Sequence, residues 1–172
     1  MAATLVNSWA GTASSGSAAN KTVSVTVSSN ANRVLLIWSA FALPRRPRVY
    51  FEEWDEPNIT AIRWVSELLT LAGGEDIFPE LARQPMGKDR IIADGQTIVH
   101  RAPDIVIGSW CGKKFRPEKV AARPGWQDVP AVRDAQLFEI KSADILQPGP
   151  AALTDGVAQL HRIFSEWAQR HA

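Results

Sequence analysis

Cysteine is almost missing from this chain. Cys111 stands alone among 172 residues, which excludes an internal disulfide and any zinc site built from several thiolates. Long apolar runs are missing too. The longest, Val34 to Leu43, is broken by Ser39 and is shorter than the roughly 20 residues a helix needs to cross a bilayer, so no membrane insertion is expected. Met1 is followed by Ala-Ala-Thr-Leu, without the basic start and apolar stretch of an export signal. As written, the chain is expected to stay in the cytoplasm. A surplus of one charge is also absent: 19 basic residues face 18 acidic ones, for a net charge of +1. That balance offers no electrostatic case for a nucleic-acid partner, which calls for a clustered basic face. His100, His161 and His171 have neither metal-ligand nor triad spacing, with His161 expected on the exposed side of the last helix. No pair of carboxylates stands out as an acid–base couple. On residues alone, binding is favoured over catalysis, and neither a metal nor a cofactor is expected.

One absence is local. Residues 1–43 contain no Asp, Glu or Pro, whereas all eighteen acids and all eleven prolines follow from Pro44 onward. The break divides the chain into a Ser/Thr-rich extension, 1–44, and a second unit, 45–172. In the extension Val23, Val25 and Val27 alternate with Ser and Thr, the period of a half-buried strand. Ser28-Ser-Asn-Ala-Asn32 reads as a turn, and Arg33 to Leu43 as a second strand. The expectation is a short β-hairpin, marginal by itself in water.

After Pro47 strands and helices alternate. Val49 to Glu52 reads as a buried strand that ends in an acidic, aromatic loop, Glu53-Trp-Asp-Glu56. Asn58 and Thr60 offer N-cap oxygens for a helix whose Ile62, Val65, Leu69 and Ala72 repeat at helical spacing, and Gly73-Gly74 ends it. Glu75 to Lys88 reads as a loop pinned by Ile77 and Phe78, and Asp94 caps a short helix through His100. A strand over Asp104 to Ile107 is followed by a helix over Lys114 to Ala122 and another strand over Gln136 to Ile140. The last helix runs from about Ala151 to Gln169. Its stripe of Leu153, Val157, Leu160, Phe164 and Trp167 is spaced 4, 3, 4 and 3. Strand, helix and strand in alternation predict an α/β fold, a Rossmann-like parallel sheet flanked by helices. In such sheets ligands gather at the carboxyl ends of the strands. The unusual residues fall there: Glu53, Trp54 and Asp55 after one strand, Trp110, Cys111 and Lys113 after the other.

Trp54 is a candidate stacking surface, and its acidic neighbours are candidate polar contacts. Gly108-Ser-Trp-Cys-Gly-Lys-Lys114 has part of a phosphate loop. It carries three residues between its glycines where that motif needs four, and Lys114 where the motif needs a hydroxyl for magnesium. A phosphate- or nucleotide-binding enzyme using this loop is therefore the rival reading, and a structural fragment with no retained ligand is another. Cys111, beside Lys113 and Lys114, is either a reactive thiol or a small packed residue.

Several runs carry a family resemblance: Val49-Tyr-Phe-Glu-Glu-Trp-Asp-Glu-Pro57, Ala72-Gly-Gly-Glu-Asp-Ile-Phe78, Arg101-Ala-Pro-Asp-Ile-Val-Ile-Gly-Ser-Trp-Cys-Gly-Lys-Lys-Phe115 and Ile145-Leu-Gln-Pro-Gly-Pro150. From Pro47 to Trp167 the chain is similar to the carboxyl-terminal lobe of the cobalamin-binding solute receptors of ABC importers, a group that also includes siderophore and haem receptors. The resemblance implies a periplasmic protein that binds a corrinoid as cargo and does no chemistry. It implies ligand loops around Glu53, Trp54, Asp55, Met86, Trp110, Lys113 and Gln147. It also implies docking on an ABC permease, where the family has a carboxylate at the place held here by Gln96 and Thr97. The family's amino-terminal lobe and connecting helix have no counterpart in residues 1–43.

Overall fold

The structure is a computed structural model and describes residues 43–172; the expected N-terminal hairpin lies outside the described residues. Strand β1, Arg48–Asp55, is the centre of the sheet. It pairs in parallel with β4, Ile105–Gly108, from Val49↔Ile105 to Glu52↔Gly108. Beyond β4 lies β5, Leu137–Glu139, also parallel. Along the other edge of β1, two short strands lie end to end. β3, Glu75–Asp76, runs parallel beside Arg48 and Val49, and β2, Asn58–Thr60, runs antiparallel beside Glu52 to Asp55.

The helices fill the connections. They are α1, Arg63–Leu71; α2, Pro79–Ala82; α3, Gln96–Arg101; α4, Pro117–Ala121; α5, Pro130–Arg133; α6, Ser142–Ile145; and α7, Val157–Arg170. The expected α/β sheet, dominated by parallel pairs and covered by helices, is thus observed.

Side chains alternate across a strand, and here the alternation builds two cores. Val49, Phe51, Ile105 and Ile107 face α1 and α7, where Val65, Leu69, Leu160, Phe164 and Trp167 cover them. Tyr50 and Val106 face the other way, toward Phe78, Ile98, Trp110, Phe115, Val120 and Trp126. Ile77 and Phe78 are buried as expected. Gly74 lets α7 come close: a Cβ there would lie 2.7 Å from the Phe164 ring. Gly73, at φ 99°, turns the chain out of α1 in the left-handed region that glycine tolerates.

Four local expectations are corrected. Glu53 to Asp55 is not loop but the end of β1, because Asn58–Thr60 folds back to pair with it across an irregular register between Glu52 and Trp54. Asn58 and Thr60 therefore sit in β2 and cap no helix; α1 starts after Ile62 without a side-chain cap. Leu153 leaves the stripe of the last helix and is 44% exposed. The chain winds as a π-helix over Ala152–Gly156 before α7, and the wider turn shifts the phase that a 3.6-residue period assumes. His161 is half-buried, its Nδ1 3.1 Å from the Ala72 carbonyl oxygen and its Nε2 3.2 Å from Ser165 Oγ.

Candidate functional site

Three acids at the carboxyl end of β1 point in three directions, and each meets its own cation. Glu52 is on the Tyr50 side of the strand and fully buried. Arg123 grips it with both terminal nitrogens, Nη1 donating to Oε2 at 2.6 Å and Nη2 to Oε1 at 2.8 Å. The Trp110 indole donates to Oε1 at 3.0 Å and Asn58 Nδ2 to Oε2 at 3.2 Å. Burial lowers the Arg123 pKa, but the hydrogen bonds and charge of Glu52 outweigh it and raise it above its ordinary value. Below, the Tyr50 phenol is pushed well above its usual range, first by burial and then by the Glu52 charge.

Glu53 turns to Arg90, which ends the 3₁₀ turn Gly87–Arg90; the pair closes to 2.5 Å and the arginine is 2% exposed. Arg90 also donates to the Thr60 carbonyl. Asp55 accepts from Lys113 Nζ with both oxygens, at 2.8 and 2.6 Å. The same ammonium lies 5.4 Å from the centre of the Trp54 ring and 5.0 Å from that of Trp110, within reach of a cation–π attraction.

Of the residues expected at a ligand surface, Trp54, Asp55, Trp110 and Lys113 therefore converge. Trp110 is buried, 3% exposed, with its ring edge-on to Phe115 at 5.0 Å. In this structure it forms the floor of the site, while half-buried Trp54 forms the rim. Glu53 belongs to the Arg90 contact. Met86 is exposed just before the turn that ends in Arg90. Gln147 sits apart, in the exposed loop after α6; at the end of that helix the Ile145 carbonyl accepts from Trp64 Nε1 at 3.3 Å. That loop borders a separate apolar groove of about 800 Å³ between Trp64, Leu68, Leu71, Pro148 and Leu153. Gln96 is exposed and donates to the Pro124 carbonyl at 3.1 Å, and Thr97 is half-buried. Gln96 N–H also donates to Asp94 Oδ1 at 2.9 Å, the expected cap.

The loop after β4 is not an open anion cradle. The Phe115 ring lies against Gly108, where a Cβ would be 1.8 Å from it, and Phe115 N donates to Glu139 Oε1 at 3.1 Å. Lys113 is committed to Asp55. No group of three or more His, Cys, Asp or Glu among the described residues could hold a metal ion, and no helix among them is long and apolar enough to cross a membrane.

Sequence reasoning missed Arg123 and Arg90 as parts of this cluster, and it missed that Glu52 is a buried, paired acid. For Glu52 a signal existed: it shares the two-residue phase of buried Tyr50, and a carboxylate on a core face requires a partner. No local pattern marks Arg123, 71 residues away.

The fold and the cluster define an α/β unit with aromatic and polar groups gathered at the carboxyl ends of parallel strands. Residues 39–143 match the Periplasmic binding protein family, and the chain belongs to it. Among solved structures, the periplasmic vitamin B12 binding protein BtuF of Vibrio cholerae is similar over 80% of this chain and 49% of its own, with 20% identity and a TM-score of 0.56. The periplasmic heme-binding protein RhuT from Roseiflexus sp. RS-1 is similar over 79% and 51%, at 18% identity and a TM-score of 0.59. An ABC transporter substrate-binding protein from Listeria monocytogenes EGD-e is similar over 78% and 52%, at 13% identity and a TM-score of 0.61. The chain spans about half the length of these proteins, and at such identities the likeness shows the fold alone. No curated protein matches this chain in sequence.

Proposed function

We propose that residues 45–172 are the carboxyl-terminal, substrate-binding lobe of an ABC-type importer, and that the lobe holds cobalamin or a related corrinoid as cargo, without chemistry. Family membership supports the receptor role and periplasmic work. The observation that carries the choice of ligand is the pairing of charges at and beneath the rim. Glu52, Glu53 and Asp55 are matched by Arg123, Arg90 and Lys113, so the surface beside Trp54 offers an indole face and neutralised polar groups. Such a surface suits a large, flat, amide-rich ligand with little net charge. It suits haem, with two carboxylates, or a strongly anionic ferric chelate less well, because either would have to be desolvated against paired charges.

The ligand contacts are assigned to Trp54, Asp55 and Lys113, over Trp110, with Glu53, Met86 and Gln147 at the margins. Docking on a permease is assigned to the surface at Gln96 and Thr97, two neutral side chains where the family carries a carboxylate. Calorimetric titration tests the reading with cyanocobalamin, haemin, a ferric hydroxamate and ATP. The expectation is cyanocobalamin binding that weakens at least tenfold, about 1.4 kcal/mol, in Trp54→Ala. Preference for haemin or the chelate overturns the ligand. ATP binding lost in Lys113→Ala would favour the phosphate-loop enzyme instead.

A further inference from the structure

The geometry points to Glu52 and Arg123 as a positioning pair that holds the loop Ser109 to Phe115 in its binding shape; the inference rests on the ligand surface proposed above. Glu52 does not reach the rim. Its buried carboxylate instead gathers three separate pieces of chain: Asn58 from β2, the Trp110 indole from the loop after β4, and Arg123 from the segment after α4. Bonds from a guanidinium fork to a carboxylate are short, directional and stronger than neutral ones. Arg123 is itself oriented by the Trp126 ring, 4.8 Å from its guanidinium carbon, and Trp126 packs edge-on to Tyr50.

The loop is therefore tied at both ends. Trp110 is tied to Glu52 at one end. At the other, Phe115 packs on Trp110 and bonds Glu139 through its backbone N–H. Lys113, the loop's contact with Asp55 and Trp54, lies between those ties. With the Glu52 charge removed, Trp110 keeps an acceptor, but the fork that clamps that acceptor in place weakens. The loop then samples other positions, and ligand binding must bear the cost of ordering it. A carboxylate that only stabilised the core would lower the melting temperature and leave both loop order and affinity unchanged in the folded protein.

The test uses the full chain, well below its melting temperature, with Glu52→Gln and Arg123→Lys as variants. Glu52→Gln keeps the volume and an acceptor oxygen; Arg123→Lys keeps the charge and loses the fork. Hydrogen exchange followed by mass spectrometry reports on 109–115 and, as the control, on 157–170 of α7. Calorimetry with cyanocobalamin reports affinity. In both variants, exchange over 109–115 is expected to speed up at least tenfold and affinity to fall at least tenfold, with α7 unchanged. Unchanged loop exchange, equal acceleration in α7, or a freer loop with wild-type affinity each overturns the pair's role. If the wild-type chain takes no cyanocobalamin, the ligand assignment fails, and the exchange comparison by itself still decides whether the pair holds the loop.

Discussion

Gly108→Ala tests the packing that shapes the site. A Cβ at residue 108 would lie 1.8 Å from Phe115 Cδ2, 2.2 Å from Cε2 and 2.7 Å from Cγ. Carbon atoms settle about 3.5–4.0 Å apart, so the ring would have to retreat by roughly 2 Å. It has little room to do so. Phe115 is 2% exposed, its ring packs on Trp110 at 5.0 Å, and its backbone N–H is held by Glu139. Residue 108 cannot move away either, because β4 is clamped between β1 and β5. Forcing a methyl into a packed core costs about 1–3 kcal/mol, and expelling the ring forfeits about 3–5 kcal/mol of Phe burial. The expected loss is about 3–5 kcal/mol by urea denaturation, or roughly 6–20 °C in melting temperature for a domain of this size. Phe115→Ala in the same chain should make Gly108→Ala nearly harmless, giving a coupling energy of about 3 kcal/mol or more in the double-mutant cycle. A Gly108→Ala protein within about 0.5 kcal/mol of wild type refutes the argument.

The other predictions concern charges and the rim. Arg90→Ala leaves Glu53 beside a vacated, largely dry space and should cost about 3–5 kcal/mol. Arg63→Ala, in an exposed pair with Glu67, should change little; equal losses in the two denaturation curves would count against this ranking by burial. Asp76 has its pKa raised by burial, with the hydrogen bond from Phe78 N at 2.9 Å opposing the shift. A raised carboxyl pKa means that the folded state favours the proton, so this group's contribution is full below the unfolded value, near 3.9, and is lost as pH rises through the folded value. Asp76→Asn should therefore flatten stability against pH across that window, and a variant curve parallel to the wild-type one would show that Asp76 is not the source. Trp54→Ala should weaken cyanocobalamin binding while leaving the melting temperature within a few degrees, because Trp54 is only half-buried and hydrogen-bonds just to the nearby Glu56 carbonyl.

Much of the architecture was legible in the residues. Val49 to Phe51 and Ile105 to Ile107 could hardly be other than buried strands, and the stripe from Val157 to Trp167 could hardly be other than a helix face. These signals are local: side-chain direction repeats every two or 3.6 residues whatever the rest of the chain does. The same local patterns carried the α/β class, and they brought Trp54 and Trp110 to neighbouring strand ends. Contacts over long distances in sequence were decided only by the tertiary structure. β1 continues through Asp55 because β2 returns to pair with it, and nothing within Glu53 to Glu56 encodes that partner. Trp110 became floor instead of surface because Glu52 and Phe115 enclose it. Glu52, Glu53 and Asp55 looked like one acidic patch in the sequence. In the fold they are three separate ion pairs, because a folded chain brings Arg123, Arg90 and Lys113 to them and burial makes each pairing obligatory.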